Sequence, residues 1–281
     1  MHPMKSYLLA FLFIVVMSPS ARGQSNENTA VRAYLGFDRN DYPGDEALPT
    51  LRKNFVFTSY WLTPPPGEKQ TTWLGKRAVL EAQGFGFLLL VNGKATRNIK
   101  TAQDAQRQAA AQAENAAKSA KREGFSPGSV VFLDIEEGGR LPSRYHEYLQ
   151  AWVDALERAG YRAGVYCSGI PVDEGGGARI TTADDIRAHM GSRQVAYWVF
   201  NDACPPSPGG TLPNAPPQPG ISGISYATVW QYVRSPQEKT ISGSCSGYAR
   251  DGNYYVPGDS AHKWFLDANV ATSSNPSAAK K

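Results

Sequence analysis

Short apolar runs alternate with amphipathic segments along most of the chain. The clearest run, Val130 to Leu133, contains no polar residue, which is typical of a strand buried on both faces. Similar runs recur between stretches that carry helical spacing, and together they predict eight β-strands. The predicted strands cover residues 33–38, 55–62, 84–91, 130–136, 162–168, 195–201, 227–233 and 264–270.

Three of the intervening segments carry helix start and stop signals. Thr101 and Gly124 bound an Ala- and Gln-rich helix, and Ser143 and Gly160 bound a second helix with one apolar face, because Ser and Thr favour helix starts and Gly favours helix ends. A third helix is predicted to begin at Thr182, with acidic residues in its first turn. Weaker helical patterns lie at 45–53 and 73–83.

The alternation of strands and helices predicts βαβ units and a parallel sheet. Eight strands between residues 33 and 270 favour a single closed (β/α)8 barrel, a TIM-barrel-like domain over 33–271. The alternative is an open doubly wound sheet, but no GxGxxG motif follows the first strand. The Pro- and Gly-rich segment 204–223 is predicted as a long loop after the sixth strand.

The two ends of the chain differ from the barrel in composition. Residues 1–23 combine a basic start, an apolar stretch over 7–17 and small residues, which predicts a cleaved signal peptide and a secreted or periplasmic protein. The apolar stretch is too short for a spanning helix, which needs about 20 residues. Residues 24–32 are predicted as a linker and 272–281 as a disordered tail.

Charge and cysteine content narrow the possible partners. Without residues 1–23 the chain keeps 27 basic and 25 acidic residues, which argues against nucleic-acid or membrane binding; a monomer is expected. The three cysteines are Cys167, Cys204 and Cys245. Cys167 lies in an apolar strand, so Cys204 and Cys245, in loop-like segments, are the candidate disulfide.

The buried strand at 130–136 ends in a concentration of carboxylates. Because side chains alternate along a strand, Asp134 and Glu136 point one way and Glu137 the other. If the strand lines a barrel, Asp134 and Glu136 face its mouth, where nearby like charges raise one pKa and keep one group protonated. A protonated acid beside an anion is the arrangement that glycoside cleavage requires. The alternative is an ordinary strand end with solvated carboxylates.

Further polar and aromatic residues lie at other strand ends. Asp38 ends the first strand and Asp267 lies in the eighth. The predicted substrate-binding residues are Tyr60, Tyr166, Trp198, Trp230, Gln231 and Asp267. Flat aromatic rings suit sugar faces, and an amide such as that of Gln231 can bind hydroxyl or acetamido groups, although each ring alone could equally be core packing. His146, His189 and His262 are predicted to be surface or hydrogen-bonded histidines, and neither a metal ion nor a cofactor is expected.

The strand motifs YLGFD, VVFLDIEEG, AGVYCSG, YWVF, VWQYV and FLDANVA occur in one order along residues 33–271. This series resembles the glycoside-hydrolase-like TIM-barrel domain of unknown function family 1906, a relative of the family 25 lysozymes. The resemblance implies an active site of Asp38, Asp134 and Glu136, with Glu136 as general acid and Asp134 orienting a nucleophilic acetamido group. The family's further motif residues match Trp230, Gln231, Tyr232 and Asp267.

Three functional hypotheses follow from these observations, of which the third is a purely structural protein of the cell envelope. The first is an exported lysozyme-like glycoside hydrolase that cleaves peptidoglycan or a related N-acetylated glycan. The second is a barrel of the cell envelope that binds such a polysaccharide without cutting it. The acids favour the first hypothesis, whereas the aromatic residues are compatible with the first and the second.

Overall fold

The computed structural model of the chain describes residues 1, 32–202, 215–234, 254–256, 259–264 and 266–279. No helix within these residues is long and apolar enough to span a lipid bilayer. The described residues do not include 2–23 of the predicted signal peptide, 24–31 of the predicted linker, 204–214 of the Pro-rich segment, or Cys204 and Cys245.

Eight strands close into a barrel in the order β1-β12-β9-β8-β5-β4-β3-β2, which confirms the predicted fold class. Each of the eight predicted strands contributes one of them. Two short antiparallel pairs, β6–β7 and β10–β11, lie outside the barrel sheet. The strands are β1 (Tyr34–Asp38), β2 (Phe57–Trp61), β3 (Gly86–Asn92), β4 (Val130–Asp134), β5 (Arg162–Ser168), β6 (Val172–Gly175), β7 (Ala178–Ile180), β8 (Ala196–Phe200), β9 (Val229–Val233), β10 (Tyr254–Val256), β11 (Asp259–Trp264) and β12 (Asp267–Ala271).

The last barrel strand departs from the predicted parallel sheet. β12 runs antiparallel to both of its neighbours, β1 and β9, whereas the other barrel strands pair in parallel. A parallel return needs a crossover, usually a helix, and the described part of the β9–β12 connection contains the β10–β11 pair instead. The start of β12 therefore lies at the end of the barrel where the other strands finish.

Five α-helices occur in the described residues, at the positions predicted from the sequence. They are α1 (Leu48–Arg52), α2 (Arg77–Ala82), α3 (Ala102–Arg122), α4 (Ser143–Arg158) and α5 (Thr182–His189). The Thr101 side chain caps α3 as expected, but the N-cap of α5 is Thr181 and that of α4 is Pro142. After β8, residues 215–228 contain a 3-10 helix, Pro219–Ser222, in place of an α-helix.

Small residues make room for aromatic rings at two levels of the packing. Along α3, buried alanines recur at helical spacing, and α4 buries large side chains such as Trp152. Inside the barrel, a Cβ at Gly36 would overlap the ring of Phe57, and a Cβ at Gly164 would overlap the ring of Phe132. The two phenylalanines are fully buried and fill the barrel below its mouth, so the open space is confined to the end where β1 to β9 finish.

Residues 272–279 are ordered, which corrects the predicted disordered tail over 272–281. Ser277 is buried; its backbone N–H donates to Phe87 O at 2.9 Å and its carbonyl accepts from Val130 N at 3.0 Å. The Ser277 hydroxyl accepts from the Leu89 N–H at 2.9 Å. The polar composition of the segment gave no sign of this role, because its hydrogen bonds are made mainly by the backbone and by short side chains.

We expect Ser277→Ala to lower the free energy of unfolding by about 1–3 kcal/mol, because it removes the acceptor of a buried backbone N–H. Urea unfolding measures the change. The matched control is Ser274→Ala, which alters an exposed serine of the same segment and should change stability by less than about 0.5 kcal/mol. Equal stabilities of the two variants would contradict a supporting role for Ser277.

Candidate active site

A cavity of about 300 Å³ opens at the barrel mouth where β1 to β9 end and β12 begins. This volume is at the lower end of the range for small-molecule sites, about 300–1,000 Å³. All eight barrel strands, or the loops that follow them, contribute residues to its wall. The lining residues are Asp38, Asn40, Trp61, Pro66, Leu90, Asp134, Glu136, Tyr166, Trp198, Gln231 and Asp267.

Asp38 is held by two side-chain amides at the back of the cavity. Gln231 Nε2 donates to its two oxygens at 3.1 and 2.9 Å, and Asn269 Nδ2 donates to Oδ2 at 2.7 Å. The amides are themselves fixed, because Tyr166 OH donates to Gln231 Oε1 at 2.8 Å and Trp198 Nε1 donates to Asn269 Oδ1 at 2.9 Å. The carboxyl group therefore has one defined orientation.

Burial raises the pKa of Asp38 to about 7, although the hydrogen bonds from Asn269 and Gln231 lower it and the charge of Glu136 raises it. The carboxyl is 8% exposed, so water does little to stabilise its charged form. Near neutral pH this group can therefore change its ionisation in response to a charge that develops beside it.

Asp134 and Glu136 share one face of the strand but lie at different depths. Asp134 is 5% exposed, whereas Glu136 is exposed to solvent. Burial, and next the charge of Glu136 and a hydrogen bond with it, raise the pKa of Asp134 well above its usual range. The second oxygen, Asp134 Oδ1, is buried and has no hydrogen-bond partner among the described residues. The pair thus consists of a buried proton holder and an exposed carboxyl that reaches into the cleft.

Glu137 points away from this pair, as the alternation of the strand predicts. Its Oε1 accepts the Thr96 N–H at 2.6 Å, and its backbone carbonyl accepts from Thr182 Oγ1 at 3.2 Å. Glu137 therefore connects the end of β4 to the β3–α3 loop and to α5.

Asp267 reaches the mouth because β12 is antiparallel. As the first residue of its strand, it pairs in register with Asp38 at the end of β1, and Gln231 Nε2 lies 3.4 Å from its Oδ2. In a parallel eighth strand, the first residue would lie at the opposite end of the barrel. The predicted placement of Asp267 beside Asp38 therefore depends on a strand direction that the sequence did not indicate.

Two of the four predicted aromatic residues face away from the cavity. Tyr60 points outward, where its ring contacts Phe87 and its hydroxyl donates to Glu123 Oε2. Trp230 also points outward and donates from Nε1 to Asn201 O at 2.9 Å. Both predictions are wrong because side chains alternate: Tyr60 precedes the inward Trp61, and Trp230 precedes the inward Gln231.

Tyr166 and Trp198 lie in the cavity wall as predicted, and the structure adds residues that the sequence interpretation missed. Trp61 lines the cavity and donates from Nε1 to Arg39 O at 3.1 Å. Asn269 is fully buried and orients both Asp38 and Trp198. A polar residue two positions after Asp267, on the same face of an otherwise apolar strand, was the available signal for Asn269.

His146 and His189 come together outside the barrel mouth, on α4 and α5. Their rings stack in parallel with centroids 3.7 Å apart, and His146 Nε2 lies 2.7 Å from Oδ2 of the buried Asp185. His189 Nδ1 lies 2.7 Å from the Asp185 carbonyl oxygen. These three residues could supply metal ligands, but parallel stacked rings direct their lone pairs into separate planes. In this geometry the cluster is a buried hydrogen-bonded link between two helices.

Of the other singled-out residues, the structure describes Cys167 and His262. Cys167 is buried and free, in agreement with its prediction as a small core residue. The Cys204–Cys245 disulfide stays a prediction, since neither residue is described. His262 falls within β11.

Comparison with known proteins places the chain among glycoside hydrolase-like barrels. The family model of the Rv2525c-like, glycoside hydrolase-like domain matches residues 68–211, which is just over half of the 281 residues. This match confirms the family resemblance predicted from the sequence and supports the expectation of a glycoside hydrolase. No curated protein matches the chain.

Two solved structures share the fold at low sequence identity. An uncharacterized protein of B. stearothermophilus is similar with a TM-score of 0.53 and 20% identity, over 85% of this chain and 95% of the other. The spore cortex lytic enzyme SleM of Clostridium perfringens is similar with a TM-score of 0.50 and 15% identity, over 86% of this chain and 68% of the other. Both similarities support the barrel architecture.

The raised pKa of Asp38 predicts a pH-dependent stability. Between pH 3.8 and about 7, the folded chain keeps a proton on Asp38 that the unfolded chain has released. The free energy of unfolding should therefore fall as the pH rises through this interval, with a limiting slope of about 1.4 kcal/mol per pH unit from one group. Asp38→Asn should reduce this slope, as measured by urea unfolding across the interval.

The control for this measurement is Asp41→Asn, which removes an exposed carboxyl of the adjoining loop and should keep the slope of the unchanged protein. The raised pKa of Asp134 also makes the free energy of unfolding fall as the pH rises. The slope of this free energy against pH should therefore be smaller in Asp38→Asn but not zero. Identical slopes for Asp38→Asn and the unchanged protein would show that Asp38 does not hold this proton.

Proposed function

The chain belongs to the family of Rv2525c-like, glycoside hydrolase-like domains, and we propose that it is an exported glycosidase that cleaves peptidoglycan or a related N-acetylated glycan. The observation that carries the proposal is the unequal pair at the end of β4. A buried carboxyl with a raised pKa and an exposed carboxyl, Asp134 and Glu136, share a hydrogen bond inside one open cleft. The spore cortex lytic enzyme among the structural neighbours supports an envelope glycan as substrate.

In the proposed reaction, Glu136 delivers the proton that the pair holds. Asp134 holds this proton at rest and shares a hydrogen bond with Glu136, so the proton passes along that bond to Glu136. Glu136 is the member exposed to the cleft, and it protonates the glycosidic oxygen as the bond to the anomeric carbon breaks. Proton transfer from a positioned acid typically contributes about 10²–10⁴ to the rate.

Asp134 is left as the anion of the pair and acts on the sugar's acetamido group. The Asp134 carboxylate accepts the acetamido N–H, and the amide oxygen then attacks the anomeric carbon as the leaving oxygen departs. Asp134 takes up the N–H proton, which leaves a neutral cyclic intermediate, and it returns this proton to the nitrogen when the ring opens. Water opens this intermediate and gives its proton to the Glu136 carboxylate, which restores the acid and retains the anomeric configuration.

Asp38 stabilises the positive charge that develops on the sugar. Its pKa near 7 means that ionisation costs little at neutral pH, and a neighbouring cation favours the charged form. Because Gln231 and Asn269 already donate to both oxygens, the carboxylate needs little reorganisation when the charge appears. Preorganised groups of this kind are the usual source of electrostatic stabilisation in enzymes.

The cavity walls fit a sugar ring at the same place. Tyr166, Trp198 and Trp61 supply apolar surface, and the acids and amides supply hydrogen-bond partners. A volume of about 300 Å³ is small, so we propose that it holds one sugar residue of a longer chain, with neighbouring residues extending into the open cleft. Asp267 is placed to bind a hydroxyl of this sugar.

We expect Glu136→Gln to reduce the release of new reducing ends from purified cell walls by about 10²-fold or more, because the amide cannot donate the catalytic proton. The matched control is Glu68→Gln, which changes an exposed carboxyl that does not line the cleft. Circular dichroism checks that both variants fold. Unchanged cleavage by folded Glu136→Gln would contradict the proposal.

The same assay separates the second hypothesis, a glycan-binding barrel without catalysis. In that case the unchanged protein would sediment with cell walls but release no reducing ends, and Glu136→Gln would bind equally well. The raised pKa of Asp134 favours the enzyme, because a binding site gains little from a buried proton.

A further inference from the structure

The cleft at the barrel mouth continues beyond the acids. A second cavity of about 390 Å³ shares Pro66, Asp134 and Glu136 with the first and extends along the β3–α3 loop. A third, of about 610 Å³, shares Asn92, Gly93 and Lys94 with the second and reaches the flank of α3. The three spaces therefore adjoin one another along the β3–α3 loop, and we call the part lined by residues 92–97 and the flank of α3 the distal groove.

The charge lining this path changes sign with distance from the acids. Asp134, Glu136 and Glu137 border its inner part, whereas the exposed side chains of Lys94 and Arg97 border the loop. Within the described part of the chain, no ion pair involves Lys94 or Arg97. These two positive charges are therefore available to a ligand.

The loop that carries both cations is fixed to the catalytic strand. Gly93 N donates to Asp134 O at 3.0 Å, and a side chain at position 93 would overlap that oxygen. Lys94 O accepts from Tyr145 OH at 2.6 Å, and Thr96 N donates to Glu137 at 2.6 Å. The backbone at 93–96 is thus held on both sides, which sets the distance between the cations and the acids.

The outer wall of the distal groove is polar. The amides of Gln108, Gln112 and Asn115 and the guanidinium of Arg107 line its α3 side. Arg107 is paired with Asp104 at 2.6 Å, so Lys94 supplies the uncompensated charge there. Gln108 Nε2 already donates to Asn98 O and Gln112 Nε2 to Asn92 O. Asn115 and Lys94 are therefore the groups that suit a ligand combining a hydroxyl or amide group with a carboxylate.

From this arrangement we propose that the distal groove is a substrate subsite that binds a carboxylate-bearing part of the glycan through Lys94 and Arg97. The proposal rests on the proposed glycosidase function, since it assumes that the substrate's cleavable bond lies at Glu136. A neutral polysaccharide would not need the two cations. The carboxylate can belong to the sugar chain itself or to a peptide attached to it.

The test is the double substitution Lys94→Ala with Arg97→Ala, assayed on soluble glycan fragments from cell walls. Loss of two charge-assisted contacts should raise KM by about tenfold and leave kcat within about twofold, because the acids are untouched. The matched control is Lys69→Ala with Lys100→Ala, which removes two exposed cations that do not line the groove. Its KM should stay that of the unchanged protein.

Chemical modification of the substrate provides the second arm. When the fragments' carboxyl groups are converted to amides, the unchanged protein should have the KM that the double substitution has on native fragments. The double substitution should not raise the KM for amidated fragments further. The proposal would be overturned if the double substitution raised KM equally on native and amidated fragments, or if the control variant also raised KM. Fragments stripped of peptide distinguish the two sources of the carboxylate. If the double substitution still raises KM on these fragments, the carboxylate belongs to the sugar chain. If it no longer does, the carboxylate belongs to the peptide.

Binding measurements separate this proposal from the catalytic one. The dissociation constant of Glu136→Gln for native and amidated fragments is measured by calorimetry, without any need for cleavage. A preference for native fragments that the double substitution abolishes supports the subsite even if the unchanged protein cuts nothing. Equal binding of native and amidated fragments, or no binding of either, overturns the subsite even if cleavage occurs.

Discussion

The hydrogen bonds that Asp38 accepts from Gln231 and Asn269 hold together the part of the barrel on which the site depends. They join β1, β9 and β12 at their shared end, where the antiparallel strand enters the sheet. A buried carboxyl without such partners would be strongly destabilising. With them, the carboxyl group stays in place and keeps a pKa close to neutrality. One set of contacts therefore both joins β1, β9 and β12 and influences the ionisation of Asp38.

The reversed direction of β12 explains how this set of contacts arises. In an antiparallel strand the first residues meet the ends of the neighbouring strands, so Asp267 and Asn269 reach the mouth from the beginning of β12. Asn269 then supports Asp38 on one side and Trp198 on the other. The interior position of Asn269 thus becomes part of the site because β12 runs antiparallel to its neighbours.

Much of the fold was predictable because its signals are local. Strand positions follow from apolar runs, and helix ends follow from capping residues and glycines, so eight strands and five helices lie where the pattern indicated. Strand direction was not predictable, because it depends on what the connection between β9 and β12 contains. The ordered segment 272–279 was missed for a related reason: its contacts with Phe87 and Val130 link residues far apart in the chain.

The features of the site likewise divide into those that follow from neighbouring residues in one strand and those that depend on distant parts of the chain. Alternation within one strand correctly separated Asp134 and Glu136 from Glu137. The same rule would have excluded Tyr60 and Trp230 if it had been applied from Trp61 and Gln231, since neighbouring residues cannot both face the interior. Depth, in contrast, comes from the surrounding loops and could not be read from the strand itself. The difference in exposure between Asp134 and Glu136 is a difference of this kind, set by the surrounding loops.

That difference in depth matters because two equivalent carboxyls would make a poorer acid. If both were exposed, water would stabilise both charges, and neither would hold a proton at neutral pH. If both were buried, neither could reach a glycosidic oxygen. One residue of separation along β4 places Asp134 inside and Glu136 outside, and the bond from Gly93 N to Asp134 O fixes the adjoining loop against the same residue. The proton, the cleft and the cations of the loop are therefore positioned by the backbone of a single strand end.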